Sequence, residues 1–317
     1  MATATTSVKK AFDTQEDLKS HREHCAVAAR TLASLDRVRG QQVRVHHDAE
    51  FALYTVSELL HETTASVVRM GLPGRQRIGP DGEFDGILDT KVTDPALRDE
   101  DARTAGELVE RLDDDGAQTH LVAIAPHGGG IEPHTDEQAE RVRDRLGSQL
   151  ASAWRCKGWG ANGGAFARWH ITSTDIDPTS FPLLGTVASR RFARAVAFHG
   201  FDDEAGVLIG GTAPDQVKQR VRDAIARVLP TDLGVRVAQP DERYAGDDPD
   251  NIVNRLSPCG GIQIEQGSTP REGVGGAIAD AVADVLRPRS PRDLEWIEDV
   301  IAQLWARVRP MADRLRG

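Results

Sequence analysis

Four short apolar stretches, "HLVAIAP" (120–126), "AVAFHGF" (195–201), "VLIGG" (207–211) and "GGIQIEQ" (260–266), recur between segments with helical signals. This alternation constrains the chain more than any other feature, because strands interleaved with helices build a sheet covered on both faces. Helix starts are marked where Thr135 and Gln138 fit a capping box, and where Thr269, Pro270 and Glu272 fit N-cap, N1 and N3. Pro214 also stands at a permitted first-turn position. A further strand is expected at "ARWHITST" (167–174) and a helix over "DEDARTAGELVERLDDD" (99–115). The expected fold class is α/β, with a mixed, mostly parallel sheet flanked by helices.

Upstream the rhythm differs. Residues 14–38 read as a polar helix, and "QQVRVHHDAEFALYTVSE", "ASVVRMG" and "FDGILDTKV" read as short strands between turn residues. The expected organisation is an N-terminal helix and small β-rich module (1–99), an α/β domain (100–287) and a C-terminal helix extension (288–317) with "RPRSPRD" as its linker.

A net charge of −10 argues against a general nucleic-acid binder, which carries a basic face. Cys25, Cys156 and Cys259 are an odd number at no metal-like spacing, so neither a disulfide framework nor a cysteine metal site is expected. No apolar leader and no membrane-length run is present, so the expectation is a cytoplasmic protein without a membrane partner, with release lacking a leader left open.

The loop "HGGGIE" raises a chemical question. His127 and Glu132 stand five residues apart, an offset that points them away from each other on a helix. They can share an ion only if the backbone folds back, and Gly128, Gly129 and Gly130 permit that. Alone the loop reads as ordinary turn chemistry. However, His127, His199 and Glu265 each end an expected strand, where ligands of open α/β sheets gather. Two imidazoles and one carboxylate with an open fourth position form a catalytic zinc set, and another carboxylate can act as general base. Singly, His199 reads as a core histidine and Glu265 as an exposed strand end. His46 and His47 are adjacent on a strand, point to opposite faces and read as structural.

The motifs "APHGGGIEPHTDE", "HITSTD", "AFHG", "VLIGG", "NIVNR" and "GGIQIEQ", in this order, resemble the poly-γ-glutamate hydrolase family of phage and bacterial genomes. The resemblance covers roughly residues 100–287 and implies a fold and zinc site like those of the zinc carboxypeptidases. It implies Zn2+ held by His127, Glu132 and His199, with Glu265 as catalytic base. His134 and Gln266 depart from the pattern, His134 standing as a competing ligand or a substrate contact.

The implied reaction is hydrolysis of γ-glutamyl amide bonds in poly-γ-glutamate or another carboxylate-rich amide. An oxyanion needs a further donor, and Arg168, Arg255 and Arg271 are the candidates. Arg255 joins Glu265 in the catalytic set by analogy, since Asn254 beside it resembles the carboxypeptidase Asn-Arg pair. Arg168, His170, Asn254 and Arg271 are the expected substrate contacts, because guanidinium forks suit carboxylates. Two alternatives are a zinc deacylase or carboxypeptidase acting on a small amide or peptide, and a non-catalytic binding protein that retains the fold.

Overall fold

The computed structural model of the protein describes residues 2–61, 66–160, 164–203 and 206–287. Six strands, β1 (Thr3–Lys10), β2 (His24–Ala28), β3 (Gln42–His47), β4 (Glu50–Leu60), β5 (Val67–Met70) and β6 (Phe84–Asp89), close into a barrel in the order β1-β5-β2-β4-β3-β6. Three short helices, α1 (Glu16–Ser20), α2 (Ala29–Ser34) and α3 (Leu72–Gln76), connect them. Val8, Val27, Val43, Val45, Tyr54, Val56, Val68 and Leu88 fill the interior.

The second sheet has seven strands: β7 (Leu108–Asp113), β8 (Leu121–Gly129), β9 (Ala151–Gly158), β10 (Arg194–Gly200), β11 (Gly206–Gly210), β12 (Gly234–Val237) and β13 (Gly261–Gln266). Their spatial order is β12-β11-β13-β10-β8-β9-β7. The accompanying helices are α4 (Asp99–Ala105), α5 (Thr135–Leu146), α6 (Ala165–Trp169), α7 (Pro182–Ala188), α8 (Asp215–Ala226), α9 (Ile252–Arg255) and α10 (Ser268–Leu286), the last kinked at Val274.

Side-chain alternation assigns the faces. Leu121, Ala123, Ala125, Val196 and Phe198 pack under α5, α8 and α10, whereas Val122, Ile124, Ala195 and Ala197 pack with Trp154, Trp169, Leu184 and the barrel's Leu53. Both faces are therefore buried, as the apolar runs require. The barrel covers part of the second face. Arg44 pairs with Glu107 at 2.8 Å and lies over Trp169, and Arg77 donates to the carbonyls of Leu53, Ala167, Arg168 and His170.

This architecture corrects the expected fold class. A carboxypeptidase-like, mostly parallel α/β sheet with a small β-rich module does not describe the chain, because the six N-terminal strands form a closed barrel. Antiparallel pairs occur throughout: β1–β6, β2–β5, β3–β4, β3–β6, β7–β9 and β11–β13. Barrel closure depends on pairing across long separations, such as β1 with β5 and β6, which local periodicity does not report.

Individual elements differ for similar reasons. The helix expected over 14–38 is α1, β2 and α2, because "HCAVA" is fully buried between β4 and β5. The helix expected over 99–115 stops at Gly106, and Leu108–Asp113 pairs with β9 as a strand. "ARWHITST" is not a strand: α6 ends at Trp169 and an extended segment follows. His134, with φ of 72°, is the N-cap of α5, so Thr135 and Gln138 form no capping box. The α10 N-cap is Gly267 rather than Thr269. The expected C-terminal helix lies outside the described residues.

Gln266 has a structural explanation. It faces α5 and exchanges two hydrogen bonds of 2.8 Å with Gln138, which also donates to the Gly275 carbonyl. Gln266→Leu leaves this buried amide half satisfied. The expected loss is about 1–3 kcal/mol of stability, read by denaturant unfolding, with zinc content unchanged.

The barrel also carries a pH-sensitive tie. His24 Nδ1 lies 2.8 Å from Asp17 and Nε2 lies 2.7 Å from Asp175. Burial opposes its charge, but Asp175 and then Asp17 outweigh burial and raise its pKa to about 9. A raised folded-state pKa contributes stability that is full below the unfolded value of about 6.5 and is lost as pH rises through 9. Thermal stability is expected to fall by on the order of 1–2 kcal/mol from pH 6.5 to 9.5, discounted for solvent at Asp17, and His24→Gln flattens that slope.

Candidate metal centre

The glycine loop is folded back, and a bulge aims it. β8 carries one extra residue against β9, since Ala125 pairs with Arg155 and Gly128 with Lys157. Without the bulge, His127 would share the parity of Leu121, Ala123 and Ala125 and face the helices. The extra residue turns His127 onto the barrel side, where His199 also faces. Gly129 has φ of 69°, and a Cβ there would lie 2.8 Å from the Gly158 carbonyl oxygen. The Glu132 amide then donates back to the His127 carbonyl at 2.8 Å, returning the two side chains to one point.

His199 and Glu265 are the penultimate residues of β10 and β13, and the two are register partners. His127 Nδ1 lies 3.0 Å from Glu132 Oε1 and 3.3 Å from His199 Nδ1, and His199 Nδ1 lies 3.4 Å from Glu132 Oε2. Ligand atoms bound tetrahedrally at 2.0–2.2 Å stand roughly 3.3 Å apart, and the two imidazole nitrogens have that spacing, with one Glu132 oxygen turned to each of them. The supporting contacts are in place. His127 Nε2 bonds the Ile171 carbonyl at 2.8 Å, and the Gly200 amide donates to Glu132 Oε2 at 2.9 Å.

His170 reaches the same cluster, with Nε2 3.9 Å from Glu132 Oε1 and its ring 4.3 Å from that of His127. His127, Glu132 and His170 therefore also form a group able to hold a metal. In this cluster His170 Nδ1 and His199 Nε2 lack a partner among the described residues, and these are the ring nitrogens opposite to the two that face Glu132. The other group within ligand distance, Asp17, His21 and His24, differs, since both His24 nitrogens are already committed to carboxylates.

Electrostatics separate the two carboxylates. Burial opposes the charge of Glu132, but His127 and His199 outweigh it and hold its pKa well below the usual carboxylate range. Burial pushes Glu265 well above that range, and the Glu132 charge adds to this, against Gln263 and Arg271. The two neighbouring carboxylates are thus driven in opposite directions, and the ionised one, Glu132, is the one suited to hold a cation. Burial lowers the pKa of His199 and holds that of His170 well below its ordinary value. For His127, burial acts against charging and Glu132 outweighs it, raising the pKa.

The cluster opens into a cavity of about 840 Å³ whose lining includes His127, Glu132, His170, His199, Glu265 and Arg271. Arg271 packs on Gly200 so closely that a Cβ there would lie 1.8 Å from its Nη1. The other expected residues lie elsewhere. Arg255 donates to the Ile176 carbonyl, Asn254 is taken up by Thr212, Gly246, Asp248 and Gly261, and Arg168 pairs with Glu50 over Phe51. None of these three lines the cavity. His134 is half-buried and pairs with Glu137. Sequence reasoning missed Gln263, which donates to Glu265 Oε1 at 2.8 Å and accepts from Asn251 at 2.7 Å. Its signal was available: in "GGIQIEQ" it stands two residues before Glu265, on the same strand face.

The family model described as poly-gamma-glutamate hydrolase matches residues 103–275, over half of the chain, including all of these cluster residues. The chain belongs to the poly-γ-glutamate hydrolase family. Similar curated relatives are the SPbeta prophage-derived UPF0714 protein YoqZ of Bacillus subtilis (strain 168), 31% identical over 46% of this chain and 48% of that protein, and UPF0714 protein YndL of the same strain, 28% identical over 50% and 58%. The chain thus spans about half the length of the curated relatives it matches. A bacteriophage poly-gamma-glutamate hydrolase structure aligns at 23% identity over 61% of this chain and 96% of that one, with a TM-score of 0.47. The family match does not reach the barrel. Among the described residues, no helix is long and apolar enough to cross a membrane.

Proposed function

We propose that this protein is a zinc-dependent hydrolase that cleaves γ-glutamyl amide bonds. The observation that carries the reading is the convergence of His127 Nδ1, His199 Nδ1 and Glu132 at ligand spacing beside the differently poised Glu265. His127, Glu132 and His199 would hold the ion, with His170 able to approach it. Zinc there supplies a Lewis acid, which polarises a carbonyl oxygen and brings the ionisation of water from about pH 16 towards 7.

The remaining work falls to the chain itself. Glu265, register partner of His199 and on the cavity wall, takes the proton from the attacking water and delivers it to the departing amine. Gln263, held by Asn251, fixes one Glu265 oxygen so that the other faces the cavity. Arg271, on the cavity wall, receives a substrate carboxylate or the developing oxyanion. Arg168, Asn254 and Arg255 act at a distance, by holding the loops around the cavity.

The division into units near residue 99 belongs to the same proposal, supported by closure of the barrel within β1–β6. So does a cytoplasmic location, supported by three free cysteines, two of them buried. The test is zinc content of the purified protein together with release of amine ends from poly-γ-glutamate and small γ-glutamyl amides. About one zinc per chain with amine release is expected. Zinc with no release from any γ-glutamyl amide removes the substrate class, and absence of zinc removes the mechanism.

A further inference from the structure

The barrel contributes two charged neighbours, Arg22 and Glu23, to the cavity that holds the metal cluster. They immediately precede β2, outside the stretch matched by the family. Glu23 is only 7% exposed, and its carboxylate has no hydrogen bond or ion pair among the described residues. The other wall carboxylates differ. Asp202 pairs with Arg243, Glu242 pairs with Arg236, and Asp247 and Asp248 accept backbone amides. Its carboxylate feels the charges of Arg77 and His127 without bonding either, and it lies on the cavity wall where a ligand group can reach it.

Arg22 stands beside it. Its guanidinium lies 4.7 Å above the Phe166 ring, which stacks 4.4 Å from His170, whose ring is 4.3 Å from His127. Arg22 thus begins a row of contacts that runs through Phe166, His170 and His127 to His199, and Arg271 stands at the far end against Gly200. No ion pair of Arg22 occurs among the described residues. One wall therefore carries a carboxylate and a guanidinium from consecutive residues, neither in an ion pair among the described residues.

This pair matches a zwitterion. In a γ-linked glutamyl chain only the amino-terminal residue keeps both a free α-ammonium and a free α-carboxylate on one carbon. Interior residues keep the carboxylate alone. We propose that Arg22 and Glu23 form a subsite for this free amino-acid head group, Glu23 receiving the ammonium and Arg22 the carboxylate, so that the enzyme acts on the amino-terminal γ-glutamyl residue rather than within a polymer. The inference rests on the γ-glutamyl reading above and gives that reading its substrate end.

The test compares γ-glutamyl-glutamate with its Nα-acetyl counterpart on the zinc-loaded full-length protein, by release of glutamate. Losing one charge-assisted contact predicts that acetylation lowers kcat/KM by about tenfold to a hundredfold, chiefly through KM. Glu23→Gln, similar in shape, is expected to narrow that preference to about threefold or less, an effect a purely structural Glu23 would not show. Poly-γ-glutamate with a blocked amino end should likewise resist cleavage. Equal turnover of free and acetylated substrates by the wild type overturns the subsite while leaving γ-glutamyl hydrolysis intact. If no γ-glutamyl amide is hydrolysed, calorimetric binding of the two dipeptides to zinc-loaded Glu265→Gln still decides it. Preferential binding of the free dipeptide supports the subsite, and equal or absent binding removes it.

Discussion

His127→Ala is expected to abolish zinc binding and hydrolysis together. His127 Nδ1 lies within 3.3 Å of both other ligands and its Nε2 is anchored on the Ile171 carbonyl, whereas His170, the neighbouring imidazole, stands 3.9 Å from Glu132. Zinc should fall from about one per chain to near none, and turnover by roughly a thousandfold or more, since metal and substrate polarisation go together. Metal analysis and amine release on one preparation read both. His170 provides a check, because it reaches Glu132 from another side. If His127→Ala keeps full zinc, the ion rests on Glu132, His170 and His199, and His127 leaves the ligand set.

Glu265→Gln is expected to separate binding from chemistry. The amide keeps the shape and the hydrogen bond to Gln263 but cannot accept a proton, so kcat should fall by about a hundredfold to ten-thousandfold with zinc retained and KM little changed. Burial and the Glu132 charge disfavour ionised Glu265, so removing that charge should not lower the melting temperature of the metal-free protein. Full turnover in this variant takes Glu265 out of the mechanism. Loss of zinc with turnover places it among the ligands instead.

These residues were legible because strand ends and ligand chemistry are local. His127, His199 and Glu265 each follow an apolar run, and Gly128–Gly130 announced a turn. The arginines show the limit. Arg168, Arg255 and Arg271 look equivalent in sequence, yet only Arg271 lines the cavity, while Glu50 and the Ile176 carbonyl hold the other two elsewhere. The expected helix over 14–38 failed for a related reason. Ala26, Val27 and Ala28 have no strand-like alternation to display, because barrel packing buries every residue of β2.

The sequence by itself determined the strands that end in His127, His199 and Glu265, the flexible loop to Glu132 and the family motifs, all of which depend on residue type and short spacing. The closed barrel, its delivery of Arg22 and Glu23 to the cavity, and the approach of His170 to Glu132 were decided by tertiary structure alone. So was the face on which His127 stands. A period of two places it with Leu121 and Ala123 under the helices, and one extra residue in β8, defined only by pairing with β9, turns it towards its partners.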